Sequence, residues 1–302
     1  MSNQSQMNQN LEQLLDKLPS EIRTELKQKL TGVLFYTPKI GVMGKSGAGK
    51  SSLINALIGK NACKTGGVGG CTREFQEEKI NLSGREIIFM DLPGIAENTT
   101  YNDDYERLYA SKIKDLDLIL WVIKVDDRAN VNDQKFYQDL IQYYKKERIL
   151  FVLSQADKAE PTREFDRTRW LPSPKQLDTI EQNRKRLKDN FNVPLDDVIA
   201  VSCDYYNGKF DRWNIENLAT TIIKKLPAEA KTSMYAVMPE ENRTSASKKA
   251  AKSAFREVAD SIYDTVVDMV PLPTPIKTGL KAVKNKVLDW AEDAWDKFTS
   301  WF

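Results

Sequence analysis

Eight consecutive residues, Gly44, Lys45, Ser46, Gly47, Ala48, Gly49, Lys50 and Ser51, read G-x-x-x-x-G-K-S. Glycines at three of these positions let the backbone curl so that successive N–H groups converge on phosphate oxygens. A helix starting there adds the partial positive charge of its N-terminus. In such a loop Lys50 reaches the β- and γ-phosphates and the Ser51 hydroxyl coordinates Mg2+. Ser52 closes the stretch expected to contact a nucleotide. The alternative for these residues is a plain glycine turn at a helix start.

A phosphate loop alone does not separate ATP from GTP, so residues further along must decide. Asp91 to Gly94, D-L-P-G, ends an apolar run. The Asp91 carboxylate is placed to hold Mg2+ through water, and the Gly94 N–H to meet a γ-phosphate. Thr72, within C-T-R-E, lies 22 positions after Lys50 and 19 before Asp91. Its hydroxyl could close over the metal when a γ-phosphate is present, although C-T-R-E alone reads equally as a solvated loop. The expected catalytic set is Lys50, Thr72 and Gly94, and the expected Mg2+ set Ser51, Thr72 and Asp91. The chain contains no histidine, which excludes every mechanism needing imidazole as base or ligand. Cys63, Cys71 and Cys203 lack metal or redox spacing and suit reduced thiols.

The elements that must position these residues alternate in type. K-I-G-V-M-G runs into the glycine stretch; E-F-Q-E-E-K-I-N-L and E-I-I-F-M-D-L flank the turn S-G-R; L-D-L-I-L-W-V-I-K-V, R-I-L-F-V-L-S-Q and D-V-I-A-V-S are further short apolar runs. Helical spacing falls between them, at Ser51 to Ile58, Tyr105 to Lys114, Asn132 to Tyr144, Pro174 to Lys188 and Ile215 to Leu226. This pattern predicts an α/β fold, a mostly parallel sheet with helices on both faces and one antiparallel pair at S-G-R.

The flanks differ. Leu11, Leu14, Leu15, Leu18, Ile22, Leu26 and Leu30 recur at helical spacing, with Pro19 dividing the run. After Leu226 a segment reading as a linker precedes two more helical stretches separated by P-L-P-T-P. The expected division is an N-terminal helical segment, 1–34, a nucleotide domain, 35–227, and a C-terminal linker and helical segment, 228–302, packing with the N-terminal helices.

With 302 residues, 41% hydrophobic and 29% charged, the chain is long enough for a large core, and no apolar run reaches the length of a membrane span. The N-terminus lacks the features of a signal peptide, so a cytoplasmic protein is expected. A formal net charge of +2 gives no ground for a nucleic-acid partner, and no DNA binding is expected.

Taken together, "GKSGAGKSSLINAL", "CTRE" and "DLPG" make the stretch from Lys39 to Leu226 resemble the Era-like branch of the translation-factor-related GTPases. Within it the motifs look most similar to bacterial Era-like proteins related to the interferon-inducible immunity GTPases. Potassium-activated members carry Asn where this chain has Gly47. The resemblance implies GTP or GDP as ligand with Mg2+, a P-loop GTPase domain, and slow hydrolysis assisted by a partner or a second copy. The family motif Asn-Lys-x-Asp corresponds here to Ser154, Gln155, Ala156 and Asp157. Asp157 then accepts hydrogen bonds from guanine N1–H and the N2 amino group, Ser154 replaces part of the Asn bonding, and the Gln155 stem lies against the base. Ser202 and Cys203 correspond to the loop near guanine O6.

The same resemblance implies that the flanking helices join into one domain that moves with nucleotide state, with a nucleotide-dependent homodimer as a partner arrangement. Two other functions stay open: a ribosome- or RNA-linked Era-like GTPase, and an ATP-using P-loop protein. The C-terminal stretch places Ile276, Leu280, Val283, Val287, Trp290, Ala294, Phe298 and Trp301 on one helical face, bordered by Lys277, Lys281, Lys284 and Lys286. That face suits peripheral membrane contact or packing against the N-terminal leucine stripe.

Overall fold

The computed structural model describes residues 18–60, 76–82, 85–92, 110–127, 131–206 and 209–300. Thr72 and Gly94 lie outside these residues. Helix α1 (Ser20–Leu34) starts directly after Pro19, whose fixed φ suits a helix entrance. Strand β1 (Lys39–Met43) leads into the glycine loop and helix α2 (Lys50–Ile58). Strands β2 (Gln76–Leu82) and β3 (Arg85–Leu92) pair antiparallel. Then follow β4 (Leu118–Lys124), α3 (Val131–Tyr143), β5 (Ile149–Ser154), α4 (Pro174–Phe191) and β6 (Val198–Ala200).

The six strands form one sheet in the order β2-β3-β1-β4-β5-β6, parallel except for β2. The expected fold class therefore holds: an α/β fold with a mostly parallel sheet and helices on both faces. Strands β4 and β5 are apolar up to their last residues, Lys124 and Ser154, because both of their faces are covered. The edge strand β2 exposes Glu77, Glu78 and Lys79, charges that discourage pairing with another chain.

On one face α3 and α4 pack Phe136, Tyr137, Leu140, Ile180 and Phe191 against Ile119, Trp121, Phe151 and Leu153. The Trp121 and Phe151 rings stack there at 5.4 Å. On the other face Ile40, Val42, Leu120, Val122 and Val152 meet α2 and α5 (Ile215–Lys225) in a core that continues without a break into the helical flanks.

The flanks correct one expectation. The segment read as a linker begins with a helix, α6 (Ala228–Val237), seven of whose residues are buried. Its hydroxyls are paired: Ser233 Oγ donates to the Leu34 carbonyl at 3.2 Å, and Thr232 Oγ1 accepts from Trp295 Nε1 at 3.0 Å. Helices α7 (Ser245–Met269) and α8 (Thr274–Ser300) form an antiparallel hairpin, with Tyr263 OH on the Leu280 carbonyl at 2.8 Å.

Of the apolar face expected on α8, Leu280, Val287, Ala294 and Phe298 are buried, Val283 and Trp290 are half-buried, and Ile276 is exposed; Trp301 lies outside the described residues. Trp295 is fully buried. The acidic residues of this helix pair with α7 cations: Lys252 with Asp296 at 2.7 Å, and Arg256 with Glu292 at 2.6 Å. Phe298 also sits beneath Arg85 of β3, the guanidinium carbon 3.8 Å from the ring centre. Burial pulls the Arg85 pKa down to about 9. Among the described residues no helix is long and apolar enough to cross a membrane.

Candidate nucleotide site

The glycine loop joins β1 to α2 across the end of β4, and its conformation is one that side chains oppose. Gly44 has φ 144°, and a Cβ there would lie 2.2 Å from the Val122 carbonyl oxygen. Gly49, at φ 88°, is the residue before the first turn of α2. Only glycine combines these angles with so close a backbone approach. Ala48 is buried, its N–H on the Lys45 carbonyl at 3.1 Å. Lys50, Ser51 and Ser52 form the first turn of α2, so free N–H groups and the helix dipole face the loop. Ser46 lies between Lys45 and Gly47 in the same turn region.

Side chains complete the phosphate end. Lys50 Nζ donates to the Gly44 carbonyl at 2.8 Å and lies 3.7 Å from Asp91 Oδ1 near the end of β3. Lys50 and Asp91 thus lie together, with Ser51 following Lys50 in the first turn of α2. Lys45 pairs with Asp127 at 2.9 Å and with Asp133 at 3.8 Å. Partial burial works against this ammonium, but the Asp127 bond and the Asp133 charge hold its pKa above the ordinary lysine value. Asp127 and Asp133 are partners the sequence did not single out.

A hydroxyl and a carboxylate are hard oxygen donors, the set that suits Mg2+ completed by phosphate and water. No cluster of three or more acidic, cysteine or histidine ligands occurs among the described residues. An all-protein cage is therefore absent from that part of the chain.

The loop from Ser154 to Asp157, expected to meet the base, ends β5 and is tied to the glycine loop by side chains. Ser154 is buried, and its Oγ donates to the Ala48 carbonyl at 2.7 Å. Gln155, in the left-handed region at φ 56°, donates from Nε2 to the Gly47 carbonyl at 2.9 Å. Its Oε1 accepts from Lys158 Nζ at 2.7 Å. The Lys158 ammonium thus lies against the Gln155 side chain, a contact the motif reading missed.

Asp157 Oδ1 accepts from Ser202 Oγ at 2.8 Å, and the exposed Arg167 lies 3.9 Å from Oδ2. Gln176 of α4 is fully buried and donates to the Ala159 carbonyl at 2.8 Å while completing the capping box with Ser173, which pins the loop to the helix. The charged insertion after the base motif folds back on the domain: Trp170 is buried against Phe165, edge to face at 5.3 Å.

Ser202 and Cys203 open an unexpected hairpin, β7 (Ser202–Tyr206) with β8 (Lys209–Trp213). Asn207-Gly208 between them is the sequence signal that could have found it. Cys203 is half-buried, and desolvation with the nearby Asp157 and Asp204 charges pushes its thiol up to about 12. From β8, Arg212 donates to Asn242 Oδ1 at 3.2 Å, and Asn242 Nδ2 donates to the Ala56 and Leu57 carbonyls of α2 at 3.0 and 2.9 Å.

Residues 39–155 match a family profile described as 50S ribosome-binding GTPase. Uncharacterized protein YfjP of Escherichia coli (strain K12) is 34% identical over 290 residues, 96% of this chain and 97% of that one. Uncharacterized protein YkfA of the same strain is 34% identical over 296 residues, 98% of this chain and 99% of that one. Among solved structures, an Aquifex aeolicus Era variant bound to GDP and aluminium fluoride has TM-score 0.43 and 21% identity, covering 68% of this chain and 69% of that one. By its end-to-end relatives the chain belongs to one family with YfjP and YkfA, and its residues 39–155 carry a P-loop GTPase domain.

Proposed function

We propose that this chain binds guanine nucleotide with Mg2+, hydrolyses GTP to GDP and phosphate, and acts as a nucleotide-dependent switch. The observation that carries the reading is the joining of two loops. Ser154 and Gln155 hold the phosphate loop at Ala48 and Gly47, and two residues on, Asp157 presents a carboxylate steadied by Ser202. A carboxylate there accepts from guanine N1–H and N2 and has no matching donors on adenine, which disfavours an ATP-using role. Cys203 contributes backbone beside it.

In the proposed site the amides from Gly44 to Ser52 cradle the phosphates, and Lys50 carries their charge. Ser51 and Asp91 hold Mg2+, which when bound neutralises phosphate charge. Thr72 completes the metal set and the Gly94 N–H meets the γ-phosphate. In this proposal the division is 1–34, 35–227 and 228–302, with α6, α7 and α8 packed on α1 as the effector layer, as in the immunity and dynamin-like GTPases. Calorimetry with GTP, GDP, ATP and xanthosine triphosphate tests the assignment. Submicromolar to micromolar GTP and GDP binding with no ATP heat is expected, and ATP binding as tight as GTP overturns it.

Assistance by a second copy predicts that specific GTPase activity rises with protein concentration, and a flat profile removes the homodimer. Membrane contact would fall to Met269 and Ile276, the exposed apolar residues at the α7–α8 tip. Co-sedimentation with anionic liposomes in GTP analogue and in GDP tests it. The description of the matched family profile favours a ribosome-linked role as the second reading. Nucleotide-dependent co-sedimentation with ribosomal subunits would establish it.

A further inference from the structure

Three lysines surround the phosphate loop, and two of them are already tied down. Lys45 is held by Asp127 and Asp133, and Lys50 by the Gly44 carbonyl beside Asp91. The third, Lys124, ends β4. Strand β4 touches the loop through the Val122 carbonyl at Gly44, and Lys124 stands two residues further on the same face. Its Nζ is 3.7 Å from where a side chain at position 47 would begin. The Lys124 side chain is half-buried and makes no hydrogen bond or ion pair among the described residues. A partly desolvated ammonium held beside a glycine loop needs an anion, and the anion this loop is shaped for is phosphate.

We propose that Lys124 is a catalytic residue that stabilises the charge developing on the leaving diphosphate during GTP hydrolysis; this rests on the guanine-nucleotide reading above. Water attacks the γ-phosphorus, the bond from phosphorus to the β–γ bridging oxygen breaks, and its electron pair stays on that oxygen. The proton lost by water ends on inorganic phosphate, and Lys124 remains protonated throughout. Because negative charge moves onto the diphosphate as the bond loosens, an ammonium at this position favours the transition state over bound GTP. The charge is supplied from within the chain, so hydrolysis in potassium and in sodium should proceed at the same rate.

The test uses the full chain and two variants, Lys124→Met and Lys124→Arg, each checked for an unchanged thermal midpoint. Affinity for fluorescent GDP and GTP, single-turnover hydrolysis, and formation of the GDP–aluminium fluoride complex are measured. Lys124→Met should lose about 100-fold in hydrolysis rate and fail to form that complex, while its GTP affinity stays within about threefold. Lys124→Arg should keep the rate within about tenfold. Wild-type hydrolysis by Lys124→Met, or a rate falling only in step with affinity, overturns the assignment while leaving the GTPase reading intact. A wild-type chain that binds neither GDP nor GTP overturns both. A wild-type rate that depends on potassium also counts against Lys124, because the charge would then come from solution.

Discussion

Gly44 admits no side chain because the Val122 carbonyl stands where its Cβ would be, whereas Gln155, at the other end of the same site, is defined by what its side chain grips. The phosphate end is made of backbone, and backbone geometry demands particular residues at particular spacings. The end proposed to hold the base is made of side chains holding one another: Ser154 on Ala48, Gln155 on Gly47, Lys158 on Gln155, Ser202 on Asp157. A network of that kind can exchange a lysine for a glutamine and recover an ammonium three positions later. One end therefore keeps its motif, and the other keeps its contacts while its motif drifts.

The largest test of this contrast is Asp157→Asn. It reverses hydrogen-bond polarity at the base edge and should shift the preference between GTP and xanthosine triphosphate by about 10³-fold or more in competition binding. An unchanged preference would place the base elsewhere. Lys50→Ala comes next: removing a charged donor at the phosphates should weaken GTP about 100-fold by calorimetry, with base preference unaltered.

The third test separates contacts from motif. Gln155→Lys restores the family letter but sets a second ammonium against Lys158, so nucleotide affinity should fall about fivefold, and adding Lys158→Gln should restore it. Improvement by the single change would mean that the motif, and not the network, governs this end. The smallest effect on binding is expected from Asn242→Ala. It unsatisfies the Ala56 and Leu57 carbonyls and releases Arg212, costing about 1–3 kcal/mol of stability in denaturant unfolding while GDP affinity stays within about threefold.

What could be read beforehand follows the same division. The sheet was legible because β1, β3, β4, β5 and β6 are short apolar runs and β2 leads into a turn signal; the phosphate loop was legible because glycine at positive φ has no substitute. Helix α6 was not, since Ala230, Thr232 and Ser233 are small or polar and look solvated. They are buried because the helices approach closely there and the hydroxyls find Leu34 and Trp295. The Lys158 contact was hidden too, as it depends on the left-handed turn at Gln155 that brings position 158 back over position 155. Asp127 carried no signal beyond its charge.

The bond between Leu34 and Ser233 joins positions 199 apart in the chain. At roughly 5–20 residues per second of synthesis, α1 leaves the ribosome about 10–40 seconds before the helix that covers it exists. During that interval Ile22, Leu26 and Leu30, all buried in the finished molecule, have no native partner on α6 or α7. The strand-and-loop core can form in chain order, but closure of the helical layer must wait for the last quarter of the polypeptide. Translation stalled within the nucleotide domain would leave that leucine face available to chaperones, and the rate at which nascent chains are released from them should track synthesis of residues 228–269.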